Sequence, residues 1–338
     1  MSWFAMGHWP LLLAAAAAPG VDSKRGSMQE FFRQELPNNP NFKGWPLLMA
    51  GLIAGLGILI TYMYTTRAGV IARATMKEAL RQPVFLLLLI LSAALLVVNN
   101  VIPFYSLGDD VKMVKDCGLA TILISGLILA LWTASTSISD EIEGKTAMTL
   151  LSKPINRRQF IFGKYLGIVS SVLVLMIPLS ILLLALIYHK VGYDARESST
   201  HSTLTQAMIM RQVAYTIPGI VLSFFEIAIL TAISVAISTR VPMAVNMVTC
   251  FTVFVVGHLT PELVASGAQS KNIELVLFFA RVIASVLPSL EVFKIDAHIA
   301  TDTLTSAVYV AWSGLYALVY SLMAILLAFF LFEDRDLA

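Results

Sequence analysis

Charge is what this sequence has least of. Asp, Glu, Lys and Arg make up 13% of its 338 residues, where a water-soluble domain carries about 25%. A chain so short of charge cannot clothe its surface in water, and at 58% hydrophobic it is far too apolar to be disordered. Cysteine is scarcer still. Cys117 and Cys250 stand in different hydrophobic regions with neither a metal nor a redox spacing, so both read as small apolar residues and a disulfide-built secreted fold is excluded. Neither sign of charge dominates: 23 Lys and Arg against 21 Asp and Glu leave +2. Without a basic field, no nucleic-acid partner is expected. A phosphate-binding loop is missing too. Gly144-Lys145-Thr146 ends like one, but Ser139 stands where the motif needs its first glycine, so no nucleotide site is encoded. The His-Glu-x-x-His signature of membrane metalloproteases is absent as well.

What is present is a series of long apolar runs, with a mean hydropathy of +0.81. Segments 83–102, 118–139, 165–188, 213–238, 241–259 and 307–332 suit helices crossing a bilayer, which needs about 20 apolar residues each. A seventh, 45–64, is uncharged and just long enough. Lipid offers no partner to an unpaired backbone group, so all should be helical. The expected fold is an all-α polytopic membrane bundle: six core spans plus one N-terminal extra. Trp9 to Gly20 is too short to span alone and lacks the preceding basic residues of a signal peptide. It reads as an interfacial or partly inserted helix, with an uncleaved eighth span as the alternative. Gly51 and Gly55, four apart, suggest a helix-packing face, and Pro178 and Pro218 suggest kinks within their spans.

Orientation follows from the positive charges. Arg67, Arg73, Lys77, Arg81, Lys145, Lys153, Arg157, Arg158, Lys164, Arg240 and Arg335 put eleven basic residues in about 50 on one side, against eight in about 85 in the opposite loops, so the denser side is expected to be cytoplasmic. Residues 67–82 space Arg73, Lys77 and Arg81 along one helical face, with Ala68, Ile71, Ala72, Met76, Ala79 and Leu80 mostly on the other. That pattern predicts an amphipathic interfacial helix with its basic groups toward lipid phosphates, ended by Pro83. Residues 103–117 and 190–211 read as outer loops. Residues 260–305 read as a longer outer region, in which the apolar stretch 273–288, interrupted by Glu274 and Arg281, is expected to be re-entrant or surface-lying.

Three ionisable residues in or near the spans are candidates for function. Glu226 is deep inside a predicted span, where facing lipid costs roughly 2.5–3.5 kcal/mol, so it should face protein or water. A substrate-pathway, proton or cation contact and a plain hydrogen-bonded interhelix contact both fit. His189 and His258 each close a span at its outer end; paired haem or metal ligation and ordinary interfacial histidines both remain open.

The most polar stretch, Ser139 to Gly167, carries the most information. Asp140, Glu141 and Glu143 open it, Leu150-Leu151 form an apolar ridge, Pro154 breaks the chain, and Arg157, Arg158 and Lys164 lead into the next span. A ridge with nothing of its own to pack against points to a partner protein. Here the sequence resembles the permease subunits of type-two ATP-binding-cassette (ABC) transporters. The features carrying the likeness are the acidic pair Glu141 and Glu143, Thr146, Leu150-Leu151-Ser152-Lys153-Pro154, Arg157, Arg158 and Gly163-Lys164. Glu78 to Arg81 before the first core span and the ending Phe332 to Leu337 are similar as well. Leu287 to Phe293 is similar to an outer stretch of permeases from multicopper-enzyme maturation systems.

The resemblance implies a permease domain over 67–338, with residues 1–66 as an added N-terminal region. It implies a coupling helix within 140–164 that docks on a separate ATPase through Glu141, Glu143, Leu150, Leu151, Lys153, Arg157 and Arg158. Two permeases, as a homo- or heterodimer, and two ATPase subunits would make the working unit, an exporter in the cytoplasmic (inner) membrane. This chain would be non-catalytic and hold no cofactor or metal, with ATP and Mg on the partner. The competing reading is a self-contained secondary transporter or a haem- or quinone-binding subunit. The first of these would be favoured by inverted repeats, and none is visible.

Overall fold

The computed structural model describes residues 44–101, 110–139, 156–197, 206–269, 287–295, 298–299 and 301–333. All the regular structure among them is helical. Helix α1 (Trp45–Thr65) is uncharged throughout and begins with a proline in its first turn. Thr66 then turns the chain in an extended conformation. Its hydroxyl donates to the Tyr62 carbonyl at 2.9 Å and accepts from the Gly69 N–H at 3.0 Å, so one side chain closes α1 and caps α2 (Arg67–Arg81). Gln82 is extended because the next residue is Pro83. The proline opens α3 (Pro83–Val101), at a position where its missing N–H costs nothing.

Helix α4 (Asp110–Ala134) runs into a π-helical turn, Ser135–Ser139. Helix α5 (Arg157–Glu197) has 41 residues, ~60 Å at the α-helical rise and about twice the hydrocarbon thickness. Helices α6 (Gln206–Ser238) and α7 (Met243–Gln269), a 3₁₀ turn (Leu290–Phe293) and α8 (Ala307–Glu333) complete the described chain. Stretches of α1, α3, α4, α5, α6 and α8 are long and apolar enough to cross a membrane, and α7 carries a shorter apolar stretch, Met243–Leu259.

The boundaries differ from the sequence reading in one direction. Helix α4 starts at Asp110 rather than 118, α5 runs to Glu197, α6 starts at Gln206, and α7 continues to Gln269. Hydropathy marks where lipid is crossed. It is blind to helix that continues beyond the bilayer, stabilised by polar pairs such as Lys190–Asp110 at 3.4 Å. Pro178 and Pro218 lie inside continuous helices.

Helix α5 is the axis, packed on α2, α3, α4, α6 and α8, while α6 packs on α4, α7 and α8. Helix α2 does not bed its apolar face in lipid. Ala68, Gly69, Ala72, Thr75 and Ala79 are buried against a groove opened by Gly163 and Gly167 of α5. A Cβ on Gly163 would stand 2.7 Å from the Ala68 carbonyl oxygen, and one on Gly167 would stand 2.6 Å from that of Ala72. The basic face is left outward, with Arg73 lying 4.6 Å over the Tyr64 ring. The Gly51–Gly55 face of α1 behaves in the opposite way: among the described residues nothing lies within 4 Å of a Cβ on either glycine, so it packs on no described helix.

At the far end from α2, a strap whose described residues are 287–295, 298–299 and 301–306 crosses the bundle. Trp45 Nε1 donates to the Thr305 carbonyl at 3.0 Å, and Tyr309 donates to the Val292 carbonyl at 2.7 Å. Lys115, in a stretch whose sequence reads as loop, is in fact on α4 and only 1% exposed. Its ammonium bonds Gln212 of α6 and pairs with Asp302 of the strap at 3.7 Å. Lys115→Met is therefore expected to leave both partners unpaired and cost about 1–3 kcal/mol. It should appear as a lower unfolding temperature in detergent together with faster proteolysis of the strap. An unchanged strap would show that Lys115 does not latch it.

Candidate functional site

At the α2 end of the bundle, four helices converge on the π-helical turn that leads into segment 140–155. Asn246, in the first turn of α7, is fully buried. Its Nδ2 donates to Ser135 Oγ at 2.8 Å and to Ser234 Oγ of α6 at 2.9 Å, and its Oδ1 accepts from the Cys250 thiol at 3.3 Å. Two residues on, Lys164 of α5 donates to Ser137 Oγ at 2.8 Å. Gln82, between α2 and α3, reaches Thr136 Oγ1 at 3.5 Å. A π turn carries one extra residue per turn and poorer hydrogen bonds, and such turns concentrate at functional sites. Here its polar side chains are met one by one from neighbouring elements.

Where the described chain resumes, the other end of segment 140–155 is anchored as well. Phe160 stacks on Phe332 of α8 with centroids 5.9 Å apart and planes 20° apart, and the Arg157 guanidinium lies 5.9 Å over the same ring. Asn156, Arg157, Arg158, Phe329 and Phe332 line a cavity of about 330 Å³. Its floor is aromatic and its rim cationic, which suits a carboxylate carried on an apolar segment.

A second polar site is inside the bundle. Glu226 of α6 has a side chain only 3% exposed, and its Oε1 stands 3.5 Å from His258 Nε2 of α7. His258 Nδ1 lies 3.1 Å from the Phe254 carbonyl oxygen one turn earlier. The strap passes beside the pair: Leu290 closes on Gly257 and Ile295 on Gly219.

The comparison with known families decides the class. Residues 69–337, about four fifths of the chain, match the family described as ABC-2 family transporter protein. The chain belongs to the ABC-2 transporter family. It is accordingly a multi-pass integral membrane protein and a membrane component of an ABC transporter, a system in which an ABC ATPase is the general partner. The match is to the family at large, and the narrower likeness to multicopper-enzyme maturation permeases has no counterpart in it. No curated protein matches the chain.

Of the residues singled out in sequence, Arg157 and Arg158 of this ABC-2 chain lie at the rim of the α5–α8 cavity. Glu141, Glu143, Leu150, Leu151 and Lys153 lie outside the described residues, as do residues 1–43 and the apolar stretch 273–286. Glu226 and His258 are brought together, with His258 at the outer end of the apolar stretch Met243–Leu259 as the sequence suggests. His189 stands exposed, edge-on to Tyr188. Among the described residues, no three His, Cys, Asp or Glu side chains are grouped as metal ligands. Sequence reasoning passed over Lys115 and Asn246. The signal for Asn246 is a lone amide one turn into an apolar run, Val241 to Cys250.

Proposed function

We propose that this ABC-2 chain is the non-catalytic permease subunit of an exporter in the cytoplasmic membrane. It converts closure of two ABC ATPase subunits, which hold ATP and Mg, into movement of substrate at an interface between two permeases. The end bearing α2, the π turn and Arg157 faces the cytoplasm, in accord with its excess of Lys and Arg. Segment 140–155 is the coupling element. Glu141, Glu143, Leu150, Leu151 and Lys153 make the contact, with Arg157 and Arg158 at its exit.

One observation carries this reading. The described residues on either side of the segment are anchored: the π turn before it bonds three neighbouring elements, and after it Arg157 and Phe160 lie against Phe332. A push delivered at these anchors reaches α5, α7 and α8, as rigid-body transmission requires.

The test is co-purification from native membranes in a mild detergent. Arg157→Glu together with Arg158→Glu is expected to reduce the ATPase retained per permease about tenfold or more, while membrane insertion and thermal stability stay as in the wild type. ATPase retained at the wild-type level by the double variant would remove both arginines from the contact. A wild-type preparation with no ATPase, and with haem absorbance in its place, would overturn the reading and favour a redox subunit.

A further inference from the structure

We infer that Glu226 and His258 form a proton-binding site within the bundle, which in this conformation holds one proton between carboxyl and imidazole. The inference starts from a hydrogen-bond direction. A backbone carbonyl oxygen only accepts, so the His258 nitrogen 3.1 Å from the Phe254 carbonyl, Nδ1, carries its hydrogen. The other ring nitrogen then faces Glu226 Oε1 at 3.5 Å. With neutral imidazole and ionised carboxylate, two lone pairs would point at each other. A proton belongs in that gap.

Where the proton resides follows from burial. Imidazolium beside carboxylate would place two ions in a site where one side chain is 3% and the other 15% exposed, and each buried ion costs several kcal/mol. Carboxylic acid donating to neutral imidazole removes both charges. The surroundings do not reverse this. Opposite this level of α6, α4 contributes Gly126 against Ile227. Helix α5 contributes Tyr165, whose hydroxyl donates to the Ala228 carbonyl at 3.5 Å. Helix α8 contributes Tyr316, whose hydroxyl accepts from the Ser289 N–H at 3.0 Å. The strap contributes Lys294, with Glu291 on the turn just before it. Lys294 is itself exposed, so its charge is largely answered by solvent.

Two features distinguish a binding site from a sealed structural contact. The proton has a route, because His258 is the wetter partner and stands next to a strap with exposed charged residues. It also has a consequence. Losing it leaves a carboxylate in the bundle where Leu290 and Ile295 of the strap close on Gly257 and Gly219, so proton occupancy is linked to the seating of the strap on α6 and α7. This holds whatever the ATPase-coupling reading turns out to be.

Infrared spectroscopy of the full chain in lipid nanodiscs tests it. At neutral pH the wild type is expected to show a protonated-carboxyl C=O band that is absent from Glu226→Gln, an isosteric change that keeps a donor toward Nε2. The band should shift in frequency in His258→Gln, which alters its acceptor, and should move on transfer to D₂O within minutes. Absence of the band from the wild type, or its persistence in Glu226→Gln, would overturn the proposal. A band indifferent to His258→Gln would show a protonated Glu226 without its imidazole partner, and one that fails to exchange over hours a locked structural proton; either result also overturns it. Should Glu226→Gln fail to fold, the His258→Gln shift and the D₂O exchange decide alone.

Discussion

Gly167→Leu is expected to be the most damaging single substitution in the bundle. A Cβ at that position would stand 2.6 Å from the Ala72 carbonyl oxygen and 2.7 Å from Thr75 Cβ, so the obstacle is helix backbone and cannot swing aside. Helix α2 would have to lift from α5, exposing the small-residue face of Ala68, Ala72, Thr75 and Ala79. Overpacking typically costs 1–3 kcal/mol, and an obstacle made of backbone puts this case at the upper end, ~3 kcal/mol. The same helix supplies a control, because nothing lies within 4 Å of a Cβ on Gly192. Gly192→Ala should be neutral or slightly stabilising, since alanine gains about 1 kcal/mol over glycine in a helix interior. Thermal unfolding in nanodiscs compares the two. Equal stability would mean that α2 is not held by this groove.

Asn246→Leu is expected to act differently, leaving the complex assembled and breaking its communication. Leucine fills nearly the same volume, so the bundle keeps its packing while Ser135 and Ser234 lose their shared donor. Hydrogen bonds between membrane helices average about 0.6 kcal/mol and reach about 1.7, so two of them are worth ~1–3 kcal/mol. That is too little to unfold the chain. It is enough to weaken the tie of the π turn to α6 and α7 by about tenfold, because each 1.4 kcal/mol is one decade. The ATPase should co-purify as with the wild type, while its turnover loses about tenfold of its dependence on the permease. This outcome separates Asn246 from Arg157 and Arg158, whose reversal is expected, on the proposed coupling role, to reduce the ATPase retained. Normal coupling in Asn246→Leu would place transmission elsewhere.

Much of the architecture was legible in the chain because the bilayer is a demanding solvent. Apolar run length answers to membrane thickness, which is why six of the runs coincide with helices long and apolar enough to cross, whereas 241–259 coincides with a shorter apolar stretch, Met243–Leu259, and Pro83 imposes its break through local backbone sterics. The family could be read from Glu141 to Lys164, since it is borne by residue types in order rather than by contacts. The candidate site was harder. Arg157 and Arg158 could be named, but not the ring of Phe332 against which Arg157 lies, 175 residues further along.

What the sequence determined by itself, then, was the helical class, the apolar runs long enough to cross a membrane and the family, all carried by residue types in order over short windows. Only the tertiary structure decided the rest: that α2 lies on glycines of α5 rather than in lipid, that Lys115 is a buried latch, that Asn246 bonds Ser135 from 111 residues away, and that Glu226 meets His258. The physical reason is common to all four. Hydropathy specifies how far a helix extends through the membrane but leaves its rotation about its own axis open. Rotation is settled by which small residues permit close approach and which buried polar atoms find one another, and those partners are far apart in the chain.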